Sequence, residues 1–266
     1  MICRKKDSYW VLEINMAFYD LSRPQRAALV AEIQQNIASD LARGTTAFIL
    51  KYFSDDDTYI RKAGYLAAGR LYKANEKQRN KIITRLEKLM KHADPKVRQT
   101  AVNSAGEIGM VHFEEIGHLL EDGLFDEHHS VRNAVIGSIK KMGEKNPKPV
   151  LKFARRYLHH SDKEIRREIC HGIELRGRRH PQDILPLLKE LQNDNTARVR
   201  NTLVHVIGQI SYKKGCLETV VADLKKWQNK QLVQDALEEI VDVHRRYRAF
   251  AAKTQKEAAA YIIENF

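Results

Sequence analysis

The sequence predicts an all-α protein, a right-handed α-α superhelix of about six to seven helix pairs. Three observations predict it. First, a β-branched residue followed by arginine recurs in one register: Ile60-Arg61, Val97-Arg98, Val131-Arg132, Ile165-Arg166 and Val199-Arg200, with Val233-Gln234 next in line. The steps are 37 residues once and 34 residues four times. A fixed period in that range marks a helical solenoid, whose two-helix units bury their apolar faces only against their neighbours. Second, apolar residues follow at helical spacing, as Ile165, Ile169 and Ile173 do. Third, each unit carries start and stop signals. Asp57, Asp94 and Asp162 are placed to cap free first-turn amides, and Gly109, Gly143 and Gly177 stand where a left-handed cap is cheapest.

Taken in order, residues 1–44 are expected to form an N-terminal capping arm and helix. Trp10, Leu12, Ile14, Met16 and Phe18 alternate in a strand-like way, but a lone strand has no partner in a solenoid. Ser22 and Pro24 open a helix through about Leu41, since proline is tolerated where amides lack partners anyway. Residues 45–246 form the repeat array, beginning with a short outer helix from Thr45 to Phe53. Inner helices are expected over roughly 57–73, 95–109, 127–143, 162–177, 195–211 and 230–246. Asn146-Pro147 and His180-Pro181 start outer helices. Residues 247–266 are expected to form one more helix, with Phe250, Tyr261, Ile262 and Phe266 covering the open end. The whole is one continuous structural domain.

Composition narrows the function. The 266 residues are 43% hydrophobic and 30% charged, with a net charge of +12. Such an excess favours polyanionic partners, nucleic acid first or an acidic protein. No run of about 18 apolar residues predicts a membrane span, and basic residues in MICRKKDSYW lack the apolar run of a secretory signal. Cys3, Cys170 and Cys216 are odd in number and far apart, which fits a reducing, cytoplasmic setting without disulfides. A monomer without small-molecule cofactor is expected. No metal site is expected, because no ligand pair at four-residue spacing on one helix has a third ligand nearby.

The D-x-x-[VI]-R pattern within a repeat of about 34 residues resembles the HEAT-repeat family over residues 45–246. The resemblance implies that the second helix of each pair lines a concave face. It also implies that Arg61, Arg98, Arg132, Arg166 and Arg200 pair with backbone or acidic groups of neighbouring repeats. Residues 131–188 resemble, more loosely, the HEAT-like DNA alkylation repair glycosylases. The shared features are the Val131-Arg132 opening, the Asn146-Pro147 outer-helix start, the inner helix around Ile165 to His171, and the basic His180-Pro181 turn. That resemblance implies a DNA duplex in the concave groove and a carboxylate at an inner-helix start flanked by tryptophans. In this chain the carboxylate position falls on Gln99, the inner-helix arginine position on Asn133 and an aromatic position on His171. Trp10 and Trp227 lie near the chain ends. The resemblance therefore implies duplex binding without glycosylase activity.

The residue two after each β-branched core position, and the one four later, share a helix face. Gln99, Asn103, Asn133, Arg167, His171, Asn201 and His205 are thereby expected to form a polar band across the inner helices. Amides, imidazoles and guanidiniums suit phosphates and base edges. A second signal is the stretch from Lys140 to His180, with 13 Lys and Arg against five acids. Lys141, Arg178 and Arg179 join the expected duplex-binding set from there. The same band also suits a protein-interaction scaffold gripping an acidic segment, or an active alkylpurine glycosylase using Glu107 or Asp94 as its acid.

Overall fold

The arginine of each repeat closes its own inter-helix loop. The computed structural model describes residues 17–266. In it, Arg61 donates to the carbonyls of Asp55 and Asp56, Arg98 to those of His92 and Ala93, and Arg132 to those of Asp126 and Glu127. Arg166 donates to the carbonyls of His160 and Ser161, and Arg200 to that of Asp194. Two of them also reach the next loop. Arg98 forks onto Asp126 at 2.7 and 3.0 Å, and Arg166 onto Asp194 at 2.6 and 3.1 Å. Burial, the largest single influence, would raise Asp126 and Asp194, but the guanidinium hydrogen bonds and charge together with the backbone amides of His128 and Thr196 outweigh it and hold both carboxyls below the usual range. The repeating arginine is a structural staple, as expected.

The β-branched partners of these arginines point into the core: Val97, Val131, Ile165, Val199 and Val233 are buried, and Ile60 is half-buried. The chain enters through a short 3-10 turn, Phe18–Asp20, and α1 (Arg23–Arg43), capped by Ser22. Outer and inner helices then alternate. They are α2 (Ala47–Phe53) and α3 (Thr58–Ala74), α4 (Arg79–Leu89) and α5 (Pro95–Gly109), α6 (Phe113–Leu124) and α7 (His129–Lys145). Next come α8 (Pro147–Tyr157), followed by α9 (Lys163–Gly172) and α10 (Glu174–Gly177). The array ends with α11 (Pro181–Glu190) and α12 (Ala197–Gln209), then α13 (Cys216–Leu224) and α14 (Lys230–Arg246), with α15 (Gln255–Asn265) beyond. The inner helices pack in series, α1 on α3, α3 on α5, α5 on α7, α7 on α9, α9 on α12 and α12 on α14. One continuous apolar cluster runs from Ile33 to Ala258. No strand occurs among the described residues, and no described helix is long and apolar enough to cross a membrane.

Several expectations meet differences. Asp57, Asp94 and Asp162 do cap α3, α5 and α9. Gly109, Gly143 and Gly177 are not left-handed caps, since positive φ occurs among the described residues at Gly44 and Gly215. Gly109 and Gly177 are small because neighbours press on them: a Cβ would overlap Ile116 and Met142 at the first, and Ile184 and Ile210 at the second. Gly143 lies inside α7, with its nearest neighbours at ordinary contact distance. The helix expected over 162–177 is divided at Ile173, where Gly172 packs on Ile139 and Glu174 turns inward. The final helix starts only after Thr254, because the Ala252 amide bonds the Tyr212 carbonyl instead of continuing a helix. Tyr261 and Ile262 pack on the core, whereas Phe250 and Phe266 stay exposed. The expected arm over residues 1–16 lies outside the described residues.

Candidate functional site

The inner-helix register explains where a site can form. Nine residues after the β-branched core positions from Ile60 to Val199 come Gly69, Gly106, Lys140, Glu174 and Gly208, and nine after Val233 comes Asp242. Glycine there lets neighbouring helices close up. A Cβ on Gly69 would stand 2.6 Å from Glu107, one on Gly208 2.6 Å from Glu239, and one on Gly106 would overlap Ser138. In the two central repeats the position is instead filled by Lys140 and Glu174, which pair at 3.1 Å. Glu174 is 2% exposed on its side chain and also accepts from His171 at 3.1 Å and from Arg178 at 2.5 Å. Burial alone would raise its pKa. The His171 hydrogen bond and the Lys140 and Arg178 charges outweigh burial and hold it at about 2.

Beside this node a cavity of about 490 Å³ opens between α9 and α12, lined by Arg167, His171, Arg198, Asn201, Thr202 and His205. Four of these come from the expected polar band: Arg167, His171, Asn201 and His205. Two lie in positions the band did not include. Arg198 stands one residue before the core valine of its repeat, and Thr202 one residue past Asn201. The His171 and His205 rings meet edge to face at 6.0 Å, because stacking brings together residues 34 apart in sequence. His205 also faces Glu239 at 3.5 Å. Arg167 pairs with Glu164 at 2.9 Å and Arg198 with the same carboxylate at 3.2 Å. Arg132 and Arg167 flank Glu168 at 3.6 and 3.5 Å. Burial raises the Glu168 pKa despite both arginines, and one of its oxygens has no hydrogen-bond partner.

The other expected site residues are placed elsewhere. Gln99 and Asn103 are half-buried on α5, and the Asn103 amide donates back to the Gln99 carbonyl of its own helix. Asn133 is exposed on α7. Lys141 pairs with Glu107 at 3.2 Å and lies over the Tyr65 ring at 5.0 Å. Arg178 is held by Glu174, by the Gln209 amide oxygen at 2.8 Å and over the Tyr212 ring. Arg179 is exposed beside Glu144, Lys145, Arg176 and His180, at the end of its repeat. The basic stretch from Lys140 to His180 is thus dispersed. Lys148, Lys152, Arg155 and Arg156 belong to outer helix α8, and Arg166 and Arg176 are engaged by Asp194 and Asp183.

Carboxylates considered as acids have structural partners. Asp94 accepts the Lys96 amide at the start of α5, and Glu107 pairs with Lys141. Cys170 is fully buried, and burial pushes its thiol up, so it packs in the core as expected. His171, Glu174 and His205 bring three ligand-type atoms within 4.8 Å of one another. A spacing test along single helices misses this trio, whose members join across repeats. The Lys140 ammonium lies 2.9 Å from His171 and 3.1 Å from Glu174, so the cluster carries its own cation.

The chain matches no family model, and no curated protein sequence matches it. Its fold is similar to that of solved structures. AlkD2 from Streptococcus mutans aligns with a TM-score of 0.53 at 18% identity, over 77% of this chain and 97% of that one. The protein smu.31 from Streptococcus mutans UA159 aligns at a TM-score of 0.45 and 18% identity, over 78% and 95%. The chain has a HEAT-like helical-repeat fold of the kind AlkD2 adopts.

Proposed function

We propose that this protein binds the phosphate backbone of duplex DNA along its inner helices, without excising bases. One observation carries the proposal. The cavity of about 490 Å³ between α9 and α12 is lined by two guanidiniums, two imidazoles, an amide and a hydroxyl, all able to donate hydrogen bonds. A net charge of +12 supplies the long-range attraction. The loose resemblance of residues 131–188 to the DNA alkylation repair family and the fold likeness to AlkD2 support the same partner. An amide at Gln99, where that resemblance puts a carboxylate, supports binding without glycosylase chemistry. Arg167, Arg198, Asn201 and His205 would hold phosphates, with Lys141 and Arg179 adding charge further out.

A scaffold for a protein segment is the second reading. The interleaving of Glu164 and Glu168 with Arg132, Arg167 and Arg198 favours it, because a mixed-charge surface also suits a mixed-charge peptide. Fluorescence anisotropy with a labelled duplex of about 20 base pairs separates the two. Affinity is expected to fall steeply between about 50 and 200 mM salt, each phosphate contact adding roughly −0.9 to the log–log slope. Arg167→Gln with Arg198→Gln should weaken binding by about tenfold and flatten that slope. Alkylated duplex should release no base. Absence of binding at the lower salt would remove the nucleic-acid proposal.

A further inference from the structure

The two cavity arginines already hold an anion. Glu164 sits in the first turn of α9, where a carboxylate is favoured by the free amides and the helix dipole. Its two oxygens are divided between consecutive repeats. One accepts from Arg167 Nε at 2.9 Å, on its own helix, and the other faces Arg198 Nε at 3.2 Å, on α12. Glu164 and Arg198 are register equivalents, each one residue before its repeat's β-branched core position. Opposite charges one repeat apart therefore meet directly. Arg167 is largely covered, but Arg198 is 62% exposed on its side chain, so one end of the bridge is open to solvent. Asn201, Thr202 and His205 line the cavity beyond the bridge.

A carboxylate shared by two guanidiniums presents two oxygens in a plane. A phosphodiester presents two non-bridging oxygens at comparable spacing, and guanidinium N–H groups donate to either kind. We infer that Glu164 is the resident anion of a phosphodiester seat formed by Arg167 and Arg198, and that a backbone phosphate displaces its carboxylate when nucleic acid enters the groove. This rests on the nucleic-acid proposal above. Glu164 then lowers affinity for every phosphate ligand, and in the free protein it is the carboxylate that pairs with both guanidiniums, Arg167 having Glu168 at 3.5 Å besides. Ligands without an oxyanion have nothing to offer in exchange.

The experiment is duplex titration at fixed salt with the full chain, comparing wild type, Glu164→Gln and Glu114→Gln. Glu114 is an exposed acid on outer helix α6 and controls for net charge. Glu164→Gln is expected to bind about fivefold tighter, as an exchanged, partly exposed ion pair allows, and Glu114→Gln to match wild type. In an Arg198→Gln background the Glu164→Gln gain should vanish. Unchanged affinity in Glu164→Gln, with the duplex still bound by wild type, overturns the seat and leaves the nucleic-acid proposal standing. Equal tightening by Glu114→Gln also overturns it, as a net-charge effect. If neither wild type nor Glu164→Gln binds duplex, the nucleic-acid proposal fails first. Thermal melts confirm that each variant is folded. Should Glu164→Gln melt early, Glu164→Asp, one methylene shorter and withdrawn from Arg198, must tighten binding for the seat to survive.

Discussion

The α5–α7 contact and the α9–α12 contact are built on the same repeat and look nothing alike. Between α5 and α7 small residues face each other, with Gly106 against Ser138, and Ser138 donating to the Val102 carbonyl. The helices close up, and polar groups such as Asn103 turn back on their own backbone. Between α9 and α12 the facing residues include the charged Glu164, Arg167 and Arg198 beside His171, Asn201, Thr202 and His205. They leave a cavity lined by donors. In a solenoid, then, a site arises where the repeat is interrupted by bulk and charge. Regular repetition makes a tight wall instead.

The largest test of that contrast is Glu174→Gln. It leaves the Lys140 and Arg178 charges with a neutral partner next to the core, which should destabilise by about 3 kcal/mol. Calorimetry would register this as a fall in Tm of roughly 5–10 °C. The sign with pH follows from the depressed pKa of about 2. The stabilisation is fully present above the carboxyl's unfolded pKa of about 4.5 and is lost as pH falls toward about 2. The stability gap between wild type and Glu174→Gln should therefore close across that acid window. A gap independent of pH would mean that Glu174 acts by packing alone.

A smaller effect probes the tight wall. Gly106→Ala forces a methyl into the Ser138 side chain and should cost about 1–3 kcal/mol. Unchanged melting would show that α5 and α7 separate freely, and the contrast with α9–α12 would weaken. The smallest expected effect is Asn103→Ala. Its amide bonds only its own helix backbone, so stability should stay within about 0.5 kcal/mol. Duplex affinity should also hold, because Asn103 does not line the cavity. A marked loss of affinity would extend the groove across α5 and erase the distinction between the two contacts.

Much of the architecture was legible from periodicity. The β-branched residue faced the core, and the arginine after it closed the loop, because both roles repeat with the 34-residue register. The site was half legible. Arg167, His171, Asn201 and His205 came from one helical face, but Arg198, Thr202 and Glu174 needed the register aligned column by column. Arg178 is a different case. It lies in a basic run, and its guanidinium is committed to Glu174, four residues back on the same helix face, and to Gln209, whose distance of 31 residues in sequence hides the contact.

By itself the sequence determined the helical period, the N-caps at Asp57, Asp94 and Asp162, and the core stripe, since these depend on contacts within one turn or one repeat step. Only the tertiary structure decided which of the charges between Lys140 and His180 stay free. Ion pairing depends on distances across repeats, on burial and on helix spacing, and a one-dimensional charge count carries none of these.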